Sequence, residues 1–437
     1  MMIPISDTAR QRNSSIRIPT LCLCVLLLET RLGRADDWPG LLGKHRDGHS
    51  ASTRELPTNP PASLLTPKWK LDAGQGYAGA AVADGKAVLY DRDGDQDRIR
   101  YVDAFQGTLI WERKMPARYR GGVDSDKGPR CVPSIAQNAV VVYSTAGDLS
   151  VLSTVDGSVR WTRSLTKEFD ADDGYFGNGS SPLILEDRVV VNVGGKKAGV
   201  LCVSLAEGKD LWNATNYDAS YASPILMNYG VSTSNSQNAT VVIPTRLKTI
   251  GVDAQTGKVL WETAFGQRGP TVNAATPIVC KPGELFLTAS YGIGNVLLRI
   301  SPTSVETLYQ GDQINSQYAT PVYSNGFVYG SDGREDMGSA SYKCLNPATG
   351  EVAWTRDSMP ICHTIAIGET QLLLIGIDGR VWLLDTNAQQ FSVIWETKLT
   401  PNLYRAIPAL ANDLLFVRSN GSNPVWQALE LRRLSGQ

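Results

Sequence analysis

One frame limits what this chain can fold into: a Gly, three residues, then a Trp. It occurs as D-A-F-Q-G-T-L-I-W from Asp103 to Trp111 and as D-A-Q-T-G-K-V-L-W from Asp253 to Trp261. N-P-A-T-G-E-V-A-W from Asn346 to Trp354 follows it too, as do Ser153 to Trp161 and Ser204 to Trp212. With 10 Trp and 41 Gly in 437 residues, chance supplies about one such pair, so five mark an internal repeat. Asp, Asn or Ser stands four residues before each Gly, where its side chain closes a turn on its own backbone. Gly supplies the positive φ of that turn. An apolar strand precedes the frame, and a second strand carries the Trp. Each unit is therefore a hairpin ending in a large anchor, and a Trp in every unit is packing between units.

Looser copies fill the gaps. Tyr309 stands in the Trp place after Ile300, Trp395 follows a longer turn, and Trp69 has no hairpin before it. The anchors are then Trp69, Trp111, Trp161, Trp212, Trp261, Tyr309, Trp354 and Trp395, spaced 41 to 51 residues apart. Two more apolar strands lie between successive anchors, as in Ser180 to Val193 and Ala319 to Gly330. Four strands at this period make a propeller blade. The expected fold is all-β: an eight-bladed propeller over residues 67–437, with seven blades if the Ile300 unit has decayed. Only three strands follow Trp395. The strand bearing Trp69 should complete the last blade and leave no free edge.

The N-terminal 35 residues read as a secretory signal. Arg10, Arg12 and Arg17 precede an apolar run from Leu21 to Leu28, and cleavage is placed after Ala35. The run is too short to span a bilayer. A frayed N-terminus or a misplaced start codon is the other reading. Residues 36–66 form a Pro-rich, extended lead-in. Among the five cysteines beyond the signal there is no C-x-x-C and no disulfide framework. They read as small core residues, with one bridge through Cys344 or Cys362 left open. A net charge of -1 provides no basic field for nucleic acid, and three His leave little for a metal site. Asp91, Asp93, Asp95 and Asp97 alternate, but Gln96 and Val102 break a calcium loop. The stretch reads as a solvated hairpin tip.

The repeat resembles the pyrroloquinoline-quinone (PQQ) type propeller repeat, A-x-D-x-x-T-G-x-x-x-W, most closely at Val252 to Trp261. The opening Trp38-Pro39, Gly43, Arg46-Asp47-Gly48 and Ser50 resembles that of exported planctomycete-type members. Two branches of this family matter. The quinoprotein dehydrogenases imply PQQ, calcium, adjacent cysteines and a catalytic Asp; no adjacent cysteine pair stands in the propeller. The branch resembling the outer-membrane β-barrel assembly lipoprotein implies a non-catalytic propeller without cofactor. The reading is an exported, monomeric binding or scaffold protein of the periplasm or envelope, with a protein or a small ligand such as a saccharide as partner. The alternative is a PQQ-dependent dehydrogenase.

Loops that join one blade's outer strand to the next blade's inner strand gather at one mouth of the central channel, with the second-to-third-strand tips. Long loops on a rigid scaffold are where binding usually sits. Candidate binding residues there are Arg118, Arg120 and Arg130 opposite Asp170, Asp172 and Asp173. Tyr221, Asn273, Gln317, Tyr318, His363, Tyr404 and Arg405 stand at inner-strand starts.

Overall fold

The computed structural model describes residues 36–52, 54–60, 64–227, 239–338 and 340–431; the stretch 1–35, read above as a secretory signal, lies outside them. The described strands form eight four-stranded antiparallel sheets, one per blade. From blade 1 to blade 8 the inner strands are Ala81–Ala83, Ser134–Ala136, Leu183–Leu185, Ile225–Met227, Ile278–Lys281, Val322–Ser324, Cys362–Ile367 and Ala409–Ala411. The Ile300 unit is intact as blade 5, so the count is eight. Middle strands such as Ala139–Tyr143 and Gln371–Gly376 are buried throughout. Their sheets are covered on both faces by neighbouring blades, and they accordingly read as unbroken apolar runs.

The repeated turn forms as its residues require. Asp103 Oδ1 accepts the backbone N–H of Phe105 and of Gln106, both at 3.0 Å. Gly107 follows with φ of 70°. Each Gly has a second duty, which is to seat the anchor of the preceding blade. A Cβ on Gly157 would lie 2.6 Å from the Trp111 ring, and one on Gly257 2.5 Å from Trp212. The indole N–H of Trp111 donates to Thr154 O at 2.9 Å, and that of Trp161 to Leu205 O at 2.9 Å. Tyr309 takes the same place against Gly350.

The ring closes through the N-terminal strand. Thr66–Asp72 pairs antiparallel with Val425–Glu430, and Trp69 stands opposite Ala428. Trp69 Nε1 donates to Ala104 O at 2.9 Å, so it fills an ordinary anchor slot. Blade 8 has no covalent turn between these two strands, and Trp395 would have nothing to sit on. The lead-in substitutes for that turn: Trp395 Nε1 donates to Pro57 O at 3.2 Å. Gln371 holds the lead-in in place through both the N–H and the C=O of Leu56, at 2.6 and 2.9 Å.

Residues 38–50 cross the central channel. Trp38 exchanges backbone hydrogen bonds of 2.8 Å with Val82 of blade 1, and Ile135 N donates to Pro39 O at 2.8 Å. The buried Arg46 guanidinium donates to Ser181 O at 3.1 Å, Pro224 O at 2.9 Å and Pro182 O, at the starts of blades 3 and 4. Four residues on, Ser50 N donates to Ala366 O of blade 7 at 2.8 Å. His49 Nε2 lies 2.8 Å from Tyr323 O of blade 6. Blades 3 and 7 stand opposite each other in a ring of eight, so this segment spans the bore.

Of the alternating aspartates, Asp93 and Asp95 stand at the solvated tip expected of them, but Asp91 and Asp97 are buried. Asp91 is fully buried at the junction of blades 1 and 8. It accepts from Arg98 Nε at 2.8 Å, Arg100 Nη2 at 2.9 Å and Trp426 Nε1 at 3.0 Å. Asp72 of the closing strand pairs with the same two arginines, at 3.0 and 3.2 Å. Asp91 and Asp93 share one face of their strand, but Asp93 and Asp95 stand at the exposed hairpin tip while Asp91 and Asp97 lie deeper in the sheet, and the partner blade supplies what their own strand does not show. Burial raises the Asp91 pKa, but the Arg98 hydrogen bond and the charges of Arg100, Arg98 and Arg418 outweigh it, leaving it below the usual value.

Candidate binding bowl at the channel mouth

The inter-blade loops and the second-to-third-strand tips surround a cavity of about 590 Å³. Leu41, from the segment that crosses the channel, lies in its lining. A belt of hydroxyls ties the inner strands together around it. Ser181 Oγ accepts from Val132 N and Ser223 Oγ from Ser181 N, both at 2.8 Å. Thr276 Oγ1 accepts from Ser223 N at 3.3 Å and Thr320 Oγ1 from Thr276 N at 3.0 Å. The sequence carries this belt as Ser-Pro or Thr-Pro before each of four inner strands.

Above the belt, charge and aromatic groups interlock. Arg405 Nε donates to Glu335 Oε1 at 2.7 Å, and its Nη1 to Tyr77 OH at 3.0 Å. Tyr77 OH donates to Asp124 Oδ2 at 3.0 Å, and Tyr318 OH to Glu335 Oε2 at 2.9 Å. The guanidinium carbons of Arg130 and Arg405 lie 5.1 and 5.2 Å from the Tyr77 ring centre, which is cation–π distance. Gln317 Nε2 donates to Tyr291 OH at 3.2 Å. Burial first, and then the charge of Asp126, push the Tyr77 phenol up to about 12. Burial also pushes Tyr318 well above its ordinary value. Burial works against the charge of Arg405, but Glu335 prevails and its pKa stands above the ordinary value.

Of the residues singled out from sequence, Arg130, Tyr221, Gln317, Tyr318 and Arg405 line this bowl. Arg118 instead pairs with Asp148, and Arg120 is exposed, 4.0 Å from Asp95. Asp170 pairs with Lys196 at 3.4 Å, and Asp172 and Asp173 are exposed on their loop. The apposition of Arg118 and Arg120 with these three acids does not form. Arg130 meets Asp126 at 3.6 Å and Asp124 at 3.9 Å. Asn273 is a strut, its Nδ2 donating to Phe265 O at 3.0 Å. Tyr404 is buried, its hydroxyl 2.9 Å from Thr400 Oγ1. His363 is sealed below the bowl, its Nε2 3.0 Å from Arg405 O, and burial lowers its pKa to about 4, so it is neutral at pH 7. Tyr77, Asp124, Tyr291 and Glu335 were not singled out. Tyr291 and Glu335 stand at second-to-third-strand tips, so applying the same-face rule to those tips finds them.

A family model described as outer membrane protein assembly factor BamB matches residues 95–356, more than half of the chain. The chain belongs to the BamB-type PQQ-repeat family. Solved structures share its fold. BamB from Moraxella catarrhalis is 19% identical with a TM-score of 0.59, over 83% of this chain and 98% of that one. A quinohemoprotein alcohol dehydrogenase from Pseudomonas putida HK5 is 12% identical with a TM-score of 0.67, over 92% and 82%. A europium-containing methanol dehydrogenase is 12% identical with a TM-score of 0.66, over 89% and 90%. No curated protein matches the sequence. Among the described residues no helix is long and apolar enough to cross a membrane.

The family's dehydrogenase branch raises the question of a quinone and calcium site. The two carboxylates lining the bowl, Asp124 and Glu335, are already engaged by Tyr77, Tyr318 and Arg405. Among the described residues no group of three or more His, Cys, Asp or Glu is placed to hold a metal ion. The five cysteines of the described residues are buried and free. These residues do not fit a quinone and calcium pair.

Proposed function

We propose that this chain is an exported propeller of the cell envelope that binds a partner in the bowl and carries no cofactor chemistry of its own. It works as a monomer, since each blade is already covered by its neighbours. The observation that carries this reading is the interlocked set of Arg405, Glu335, Tyr77 and Asp124. Each cation has its carboxylate within reach, and the phenol between them holds its proton at neutral pH. Such a set presents a fixed recognition surface, in which the charged groups are already paired with one another. BamB, an outer membrane protein assembly factor by its description, supports a scaffold role through the shared family.

The competing reading is a quinoprotein dehydrogenase, favoured by the shared fold of the two dehydrogenases. Purified protein given PQQ, calcium, a primary alcohol and an electron-accepting dye is expected to reduce no more dye than a protein-free blank. Sustained, protein-dependent reduction would overturn the binding reading.

A further inference from the structure

We infer that the bowl recognises a neutral saccharide; this rests on the reading of the bowl as the binding site. Three features of the lining select that chemistry. The first is charge. Arg405 is matched by Glu335 and Arg130 by Asp124 and Asp126, two cations against three carboxylates, so an anionic ligand would find no unpaired cation and would have to break a formed pair.

The second is the backbone. The N–H groups of Val132, Ser181, Ser223 and Thr276 on the inner wall are already taken by side-chain hydroxyls. An extended peptide docks by building a main-chain ladder, and this wall leaves it no such ladder. A polyol needs none.

The third is the aromatic surface. Tyr77, Phe176, Tyr221, Tyr291 and Tyr318 all face the cavity, with the Gln317 amide and the two guanidiniums between them. Flat apolar faces interleaved with hydrogen-bonding groups suit a sugar ring, which has apolar C–H faces and a hydroxyl rim. The volume of about 590 Å³ is within the range of ligand sites, roughly 300–1,000 Å³, and exceeds what one hexose ring fills.

Tyr291 shows that the surface is held in place at a cost. Its backbone has φ of 66° and is followed by Gly292 at 75°. A bulky aromatic residue in this left-handed region is an outlier, and such outliers gather at ligand sites. Arg334 stacks over the Tyr291 ring at 4.2 Å and Gln317 bonds its hydroxyl, so neighbours on both sides fix a ring that the turn itself disfavours. Gly would suit the turn better.

The test is calorimetric titration of the full chain with maltotriose, cellotriose, xylotriose and chitotriose, and with trigalacturonate as the charged counterpart. At least one neutral trisaccharide is expected to bind saturably at submillimolar concentration, and trigalacturonate at least tenfold more weakly. Tyr291→Gly relieves the turn, so the variant should melt at or above the wild-type temperature yet lose affinity at least tenfold. Preferred binding of trigalacturonate, unchanged affinity in Tyr291→Gly, or no binding of any of the five sugars overturns the inference. The reading of the bowl as the binding site does not fall with it, because that is judged separately by where a partner cross-links.

Discussion

Trp111→Ala is expected to lower the free energy of unfolding by about 3–5 kcal/mol, as for other buried large aromatics. The Trp111 ring stacks on Tyr101 at 5.1 Å, fills the space left by Gly157 and donates its N–H to Thr154 O. Truncation removes all three contacts and opens a cavity at the blade 1 to blade 2 junction. Gly157→Val attacks the same contact from the other side. Its side chain would press on the ring and also strain a turn with φ of 67°. Denaturant unfolding monitored by circular dichroism checks both variants. A loss below about 1 kcal/mol for Trp111→Ala, the level of an ordinary substitution, would mean that the repeated Trp does not lock the blades.

Asp91→Asn is expected to cost a similar amount, about 3–5 kcal/mol, because removing one partner of a buried ion pair strands the others. Arg98, Arg100 and the fully buried Arg418 all lean on that buried carboxylate, and the first two otherwise have mainly the exposed Asp72. The junction it holds is the one where the chain's two ends meet, so the loss falls on ring closure. The pH dependence has a definite sign. The folded pKa of Asp91 lies below its unfolded value, so the stabilisation is complete above the unfolded value near 3.8 and is lost as pH falls through the folded one. Urea midpoints taken from pH 7 down to pH 3 should show a steeper acid loss for wild type than for Asp91→Asn. Parallel profiles would contradict this account of the junction.

Much of the architecture was legible because it is local and repeated. The Asp-to-Gly turn, the apolar strand before it and the Trp after it are set by nearest-neighbour chemistry, and the period then imposes blades. Even Tyr309, with neither the Gly nor the Trp, was placed by spacing alone. Contacts distant in sequence were harder to read. The R-D-G turn at Arg46 to Gly48 is visible as a motif, but nothing local says that its guanidinium reaches carbonyls of blades 3 and 4. Asp91 and Asp93 look alike in an alternating string, yet only Asp91 faces Trp426 from the far end of the chain.

The candidate site divides the same way. The inter-blade loops are correctly ordered around the mouth by topology, so Arg130 and Arg405 emerge from sequence. Which side chains turn inward is decided by pairing. Arg118 is held at the rim by Asp148, while Arg405 is drawn across to Glu335, 70 residues away in sequence.

The face that binds is the central claim, and site-specific photo-cross-linking tests it most directly. Val123 lies on the bowl's rim and is 74% exposed; Val155 is 79% exposed in the blade 2 turn next to Gly157, on the opposite face. A photoactivatable side chain is placed at one or the other position in the full chain, which is then illuminated in an envelope extract. The account predicts a discrete adduct from position 123, competed away by excess wild-type protein, and none from position 155. A competed adduct from position 155 with none from position 123 would contradict it.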